Sequence, residues 1–415
     1  SRRRAACQGY GWQASLMVAV AKRRRRLAIY SMPGLYIHVP FCVRKCLYCD
    51  FYSLPTATGP VAHRVSSEDQ PDQPAFLEAF DRELAGLPAS FRPDTVFIGG
   101  GTPTELSRAD LRAMLDLLAR RVDLAGVTEW TCESNPGTLT EPKVALLLGA
   151  GVNRFSLGVQ SFDPPTLEFL GRIHSADEAR DGFRLLRRMG VRNINLDLIY
   201  GVPGTHRDVV RRDLDALLEL GPDHAACYCL IFEDGTPLTD LRNKGFVKEV
   251  DDDTELDQYN LVRAALAAGG YHQYEISNFA RPGFACRHNK LYWGGGEYIG
   301  VGPSAHSHWN GERYGNIRDL VAYIARMREG RSPRAFTERL EPEAKARETL
   351  VMALRQLDGI GREEFRAGTG FDYRSLCADR LDWLQREGLL AEDNDRLRLT
   401  ERGLFVSDAI FAELV

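Results

Sequence analysis

Phe41-Cys42-Val43-Arg44-Lys45-Cys46-Leu47-Tyr48-Cys49 is the stretch on which the reading of this chain turns. It stands directly after a short β-rich run, Leu35–Val39. Cubane iron–sulfur clusters are held by thiolates, usually four of them. Three cysteines on one loop leave one iron without a protein ligand, and chemistry at a metal needs such an open position. A ligand carrying an amine and a carboxylate fills it as a chelate. A zinc site would require a fourth His or Cys close by, and none lies in the dozen residues after Cys49.

Outward from this loop, β-rich runs alternate with helical stretches. The strands are expected at Leu35–Val39, Thr95–Ile98, Glu129–Glu133, Arg154–Gly158, Asn193–Leu198 and Ala225–Ile231. Between them fall amphipathic helices: Ala75–Leu87, with Phe76, Leu77, Phe80 and Leu84 at helical spacing, then Leu111–Leu118, Glu141–Leu148, Ala176–Met189 and Val209–Leu220. Repeated strand–helix units imply parallel strands with right-handed crossovers. Six units fall short of a closed eight-stranded barrel, so the expectation is an α/β fold with a partial, open (β/α)6 TIM-like barrel. Pro55–Pro74, rich in Pro, Ser, Thr and Gly, reads as a surface loop. Leu256–Ala268 reads as a further helix, and Tyr271–Tyr314 as strands with tight turns. Thr337–Val415 reads as three helices, a hairpin at Leu389–Leu399 with Glu392–Asp395 at its tip, and a last helix. That order predicts a winged-helix-like α+β domain. The expected divisions are residues 1–31, 32–250, 251–336 and 337–415.

Polar residues gather at the carboxyl ends of the expected strands, the rim that builds active sites in barrels. Gly99-Gly100-Gly101-Thr102 follows the second strand, and its glycines let backbone approach a ligand closely. Glu133 ends the third strand, Gln160 follows the fourth, Arg172 lies twelve residues further on, and Asp197 sits in the fifth. Each also admits a plainer reading, as a tight turn or as one member of a buried polar network.

Bulk composition is that of an ordinary globular chain: 415 residues, 44% hydrophobic and 27% charged. No apolar run approaches the roughly 20 residues of a membrane helix. Of 53 Lys and Arg, eight fall in the first 31 residues, which hold no Asp or Glu, so the remainder sets 45 basic against 57 acidic residues. So acidic a body is a poor general binder of nucleic acid. The region from Thr337 onward, with 12 basic and 17 acidic residues, repeats that exclusion for the winged-helix-like part. The basic leader reads as a stretch ahead of a start at Met32, or as a transit-type peptide. Nine cysteines suit a reducing compartment. Of these, Cys7, Cys132, Cys227, Cys229 and Cys377 read as structural.

The three-cysteine spacing resembles that of the radical SAM superfamily, and the likeness runs from Leu35 over nearly the whole chain. Leu35-Tyr36-Ile37-His38-Val39-Pro40-Phe41-Cys42 is similar, more narrowly, to the oxygen-independent coproporphyrinogen III oxidase-like family. The resemblance implies a [4Fe–4S] cluster on Cys42, Cys46 and Cys49, with S-adenosyl-L-methionine at its open iron. It implies contacts to that nucleotide from Tyr36, Gly100, Glu133, Gln160, Arg172 and Asp197. Gly101 and Thr102 belong to the same glycine loop, and Tyr48 packs on the cofactor. Some members hold two such molecules, the second near Gln160, Arg172 and Asp197. The true oxidases carry a further cysteine where this chain has Phe51, and a long N-terminal arm unlike this leader. Both departures point away from decarboxylase activity. Cys286-Arg287-His288-Asn289-Lys290-Leu291-Tyr292-Trp293 instead resembles the motif of the haem-chaperone members, the HemW type. The implied haem residues are His288 as ligand, Asn289, and Tyr292 and Trp293 over the macrocycle. Cys286 is a rival ligand, whereas His306 reads as part of a structural turn. The function implied is haem binding and delivery to an acceptor, with a respiratory protein as the candidate. Flavodoxin or ferredoxin is the implied electron donor, and the implied setting is cytoplasmic, or organellar if the leader is a transit peptide. The alternatives are the oxidase reaction itself and a radical methyl transfer. No residue is assigned a catalytic role.

Overall fold

The computed structural model describes residues 33–56 and 72–415, which form two compact units. The basic leader with Cys7, and most of the expected 55–74 loop, lie outside the described residues.

The larger unit comprises Pro33–Lys290 and Glu297–Arg339. Six parallel strands lie side by side in chain order: β1 (Gly34–Val39), β2 (Thr95–Gly100), β3 (Glu129–Ser134), β4 (Arg154–Gln160), β5 (Ile194–Tyr200) and β6 (His224–Cys229). Each agrees with the expected strand to within two residues at either end. The period-two alternation of a strand sorts their side chains. In β4, Phe155, Leu157 and Val159 are fully buried, while Arg154, Ser156, Gly158 and Gln160 line a cavity. In β5, Ile194, Leu196 and Leu198 are buried, and Asn195, Asp197 and Ile199 line the same cavity.

The sheet extends past both edges of these six strands. Beyond β6 lies antiparallel β7 (Asn278–Ala280), edged by His272–Gln273. Beyond β1 lies parallel β8 (Tyr298–Val301), then antiparallel β9 (His306–Trp309), β10 (Glu312–Asn316) and β11 (Arg334–Glu338). The helices between strands are α1 (Gln73–Ala85), α2 (Arg108–Arg121), α3 (Glu141–Ala150), α4 (Ala176–Arg188) and α5 (Arg207–Leu220); α6 (Asp252–Ala268) and α7 (Leu320–Arg328) follow. Side-chain caps explain where several begin. The Asp72 carboxylate accepts from the Ala75 N–H at 2.9 Å, and Ser175 with Glu178 forms a reciprocal capping box.

One carboxylate joins the start of this unit to its end. Glu83 of α1 is half-buried and accepts from the Tyr323 hydroxyl at 2.6 Å, the Asn316 amide at 2.6 Å and the Gly302 N–H at 2.8 Å. Burial outweighs these donors and pushes its carboxyl up to about 7.

The smaller unit comprises, among described residues, Leu291–Gly296 and Leu340–Val415. It holds helices Pro342–Leu354, Arg362–Thr369 and Tyr373–Arg386, then the hairpin Leu390–Asp393/Arg396–Leu399. Asn394 and Asp395 turn the hairpin, with φ of 48° and 59°, the double left-handed geometry of a tight hairpin turn. The single last helix expected from the sequence is two, Glu401–Phe405 and Ser407–Leu414, separated at Val406. The helices and small antiparallel sheet make the expected winged-helix-like arrangement.

Removing the Glu83 carboxylate leaves three donors without an acceptor. Glu83→Ala is expected to cost about 2–4 kcal/mol of unfolding free energy; a urea midpoint unchanged from wild type would contradict this.

Candidate functional site

The cysteine loop leaves β1 and is pinned from several sides. The Leu47 N–H donates to Leu170 O, and the Leu238 N–H donates to Leu47 O. Tyr48 packs with Leu47 against Leu170, Val202, Leu230 and Leu238. At Gly101 a Cβ would stand 2.5 Å from Phe41 O and 2.7 Å from Val39 O, so only glycine admits the loop here. At Gly99 a Cβ would fall 2.6 Å from Glu133 Oε2 and displace that carboxyl from where it stands.

Cys42, Cys46 and Cys49 are half-buried free thiols on one cavity of about 500 Å3. Burial lifts the thiols of Cys42 and Cys49, the latter to about 12, so loading a metal there releases protons. Among the described residues no three His, Cys, Asp or Glu side chains converge on a single-ion site. In a cubane each thiolate takes its own iron, so the cysteines need only line one wall, as they do. The donor set therefore fits a [4Fe–4S] cluster with one iron left open.

Arg172 ties this loop to the strand rim. Its guanidinium donates to Cys46 Sγ at 3.3 Å, to Asn135 Oδ1 at 2.6 Å and to Gly158 O at 2.6 Å, while its buried Nε has no partner. Thr102 Oγ1 accepts from the Asn135 amide at 2.8 Å and lies 3.4 Å from Cys42 Sγ. Gln160 stands at a register shift between β4 and β5 and has a φ of 70°. Such strain in a non-glycine residue clusters at functional sites.

Two carboxyls face the same space. Glu133 is pushed up to about 8, first by burial and then by the charge of Asp197. Asp197 is pushed up to about 6 by burial, against donors from Asn195 at 2.6 Å and Ser156 at 3.3 Å. Burial and the charge of Asp197 favour the proton-bearing form of Glu133, whereas Asp197 has donors from Asn195 and Ser156 that favour its ionised form. A ligand with both hydroxyl and amine groups finds both roles offered.

Of the residues singled out from the sequence, Cys42, Cys46, Cys49, Tyr48, Gly100, Gly101, Thr102, Glu133, Gln160, Arg172, Asp197 and Asn289 line this one cavity. Tyr36 does not line it. Its buried hydroxyl lies 3.2 Å from His38 Nδ1. His288 is also absent from the lining. It is fully buried, with Nδ1 2.8 Å from Thr95 Oγ1, its N–H donating to Glu129 at 3.0 Å, and its ring centroid 5.3 Å from that of Phe97. Burial, aided by the charge of Arg154, lowers its ring to about 3. Cys286 is buried on the same carboxylate, Glu129, at 3.5 Å. Tyr292 and Trp293 belong to the smaller unit, where Arg355 lies 4.5 Å over the Trp293 ring. His306 is exposed on β9, with its ring beside Phe336. Cys132, Cys227 and Cys377 are buried, but Cys229, read as structural, lines the cavity.

Sequence reasoning missed Arg154, Ser156, Asn195 and Asn135, which also line it. For the first three the signal was present: counting back in twos from Gln160 and Asp197 lands on each of them.

The radical SAM superfamily model matches residues 36–226, and the HemN C-terminal domain matches residues 340–406. The chain is 36% identical to "Heme chaperone HemW" of Escherichia coli, over 91% of this chain and 97% of that protein. It is 33% identical to the protein of the same name from Bacillus subtilis, over 92% and 98%. It is 32% identical to the bovine "Radical S-adenosyl methionine domain-containing protein 1, mitochondrial", over 92% and 87%. Among solved structures, coproporphyrinogen III oxidase (HemN) of Escherichia coli aligns over 94% of this chain and 92% of its own, with a TM-score of 0.78 at 22% identity, a likeness of fold.

Because the folded ring of His288 stays neutral while the unfolded ring titrates near 6.5, its contribution to stability is complete above about 6.5. That contribution declines as pH falls from there toward about 3. The His288 ring NMR signals are expected to hold constant from pH 7.5 to 5; a midpoint near 6.5 would mean that the ring is solvated. Replacing Arg172 by Ala is expected to weaken S-adenosylmethionine binding by about 10- to 100-fold. Equilibrium dialysis on the reconstituted protein reads this directly.

Proposed function

Since the chain belongs to the radical SAM superfamily, in the coproporphyrinogen-oxidase-like branch that includes the haem chaperones, we propose that it binds haem and hands it to an acceptor protein. On this reading Cys42, Cys46 and Cys49 hold a [4Fe–4S] cluster, and S-adenosylmethionine occupies the cavity beside it. Bound together, the two supply single-electron chemistry at a sulfonium centre. The chain's own residues orient the nucleotide: Arg172 and the 99–102 loop near the cluster, Glu133 and Asp197 further along. A reduced flavodoxin or ferredoxin is the proposed electron source, and a respiratory haem protein the proposed acceptor. Among the described residues no helix is long and apolar enough to cross a membrane.

The observation that carries the reading is the residue at the mouth of the cavity. Where the oxidases resembled have a thiol, Phe51 lines the mouth and is 60% exposed. Tyr228 and Ile231 are exposed along the same lining. An apolar lip of this kind suits the face of a macrocycle and offers no thiol for decarboxylation. The match over nearly the full length of proteins named haem chaperones supports the same choice. His288 is fully buried and does not line the cavity, so haem loading on this histidine includes a local rearrangement that uncovers its ring.

Hemin added to the reconstituted protein is expected to give a Soret band that shifts and weakens in His288→Ala. Identical spectra would remove His288 as the ligand. Anaerobic incubation with coproporphyrinogen III, nucleotide and reductant is expected to yield no protoporphyrinogen IX; turnover would replace this reading with the oxidase. Cys46→Ala is expected to lose cluster iron while retaining hemin binding.

A further inference from the structure

The floor of the cavity holds a cation that no hydrogen bond or close ion pair among the described residues engages. Arg154 is the first residue of β4 and is 2% exposed, yet it lines the cavity. Among the described residues its side chain makes no hydrogen bond and no ion pair within 4.0 Å, and its buried Nε is unpartnered. The nearby carboxylates are engaged elsewhere. Glu129 accepts from the backbone N–H groups of Arg287 and His288 and from Cys286, and Asp197 accepts from Asn195 and Ser156. The charges of Glu129 and Asp197 hold the Arg154 proton from a distance, but its donors go unmet, so a guanidinium facing a cavity is in place for an acceptor that arrives with a ligand. The Asn289 side chain lines the same cavity and likewise has no hydrogen bond among the described residues. A guanidinium and an amide are the donors a carboxylate accepts from best.

We propose that Arg154 and Asn289 form a subsite for a carboxylate at the floor of the cavity. The cluster loop is tied to the opposite end of the strand, where Arg172 bridges Cys46 to Gly158 O. Arg154 lies four residues below Gly158, roughly 13 Å along the strand. A nucleotide chelating the cluster through its own carboxylate keeps that group at the rim, so the carboxylate at the floor comes from a second molecule. On the haem reading of the preceding section it is a propionate.

The test compares wild type with Arg154→Gln for two ligand pairs: hemin against hemin dimethyl ester, and S-adenosylmethionine against its decarboxylated form. Wild type is expected to bind hemin about 10- to 100-fold more tightly than the variant does, with the ester bound equally by both. The nucleotide pair should not distinguish the two proteins. If the variant loses affinity for S-adenosylmethionine but not for its decarboxylated form, the subsite stands and the carboxylate is the nucleotide's. If both pairs bind the two proteins alike, the subsite is refuted. Failure of hemin to bind wild type at all sinks the haem reading and leaves the nucleotide pair to judge the subsite. The ligand-free melting temperature separates this from a structural role: Arg154→Gln should lie within a few degrees of wild type, because it removes no hydrogen bond and no close ion pair among the described residues. A large fall would mark Arg154 as a structural partner and overturn the proposal. Should that variant fail to fold, Arg154→Lys and the wild-type comparison of each ligand with its carboxylate-free form decide.

Discussion

The guanidinium of Arg172 is the tie on which the site depends. It reaches a thiol on the cysteine loop, a carbonyl on β4 and the Asn135 amide that in turn holds Thr102. Three segments far apart in sequence are thereby held at one end of the sheet. A planar, multiply donating cation suits this task better than an ammonium would.

Around that tie the parallel strands impose a division of labour. Side chains of β4 and β5 alternate between a buried apolar face and the cavity, so Arg154, Ser156, Gln160, Asn195 and Asp197 come together on one side. The polar ones do not stay independent. Asn195 donates to both Ser156 and Asp197 while its oxygen lies 2.6 Å from His224 Nδ1. Such a network fixes orientations before any ligand arrives, and this preorganisation is what a cofactor site requires.

The strand–helix alternation was readable because apolar runs and helical spacing are local properties of sequence. The cysteine loop was readable because its ligands are contiguous. The sheet's extension past both edges was less so: β7 to β11 are three to five residues long and gain their identity from neighbours distant in the chain. The same limit applies to His288. A histidine beside aromatic residues looks like a ligand, yet whether its ring meets solvent or a threonine 193 residues away is decided by tertiary packing. Arg154 was hidden for the converse reason, as an arginine opening a strand resembles any charged boundary residue until the cavity is seen to extend down to it.

The anchorage of Glu83 bears on the order in which the chain can be completed. Its three donors lie 219, 233 and 240 residues further along. During synthesis α1 therefore emerges long before these donors, and until they arrive water alone bonds the carboxylate. The ties that join the first helix to Gly302, Asn316 and Tyr323 thus form only after about three quarters of the chain has been made.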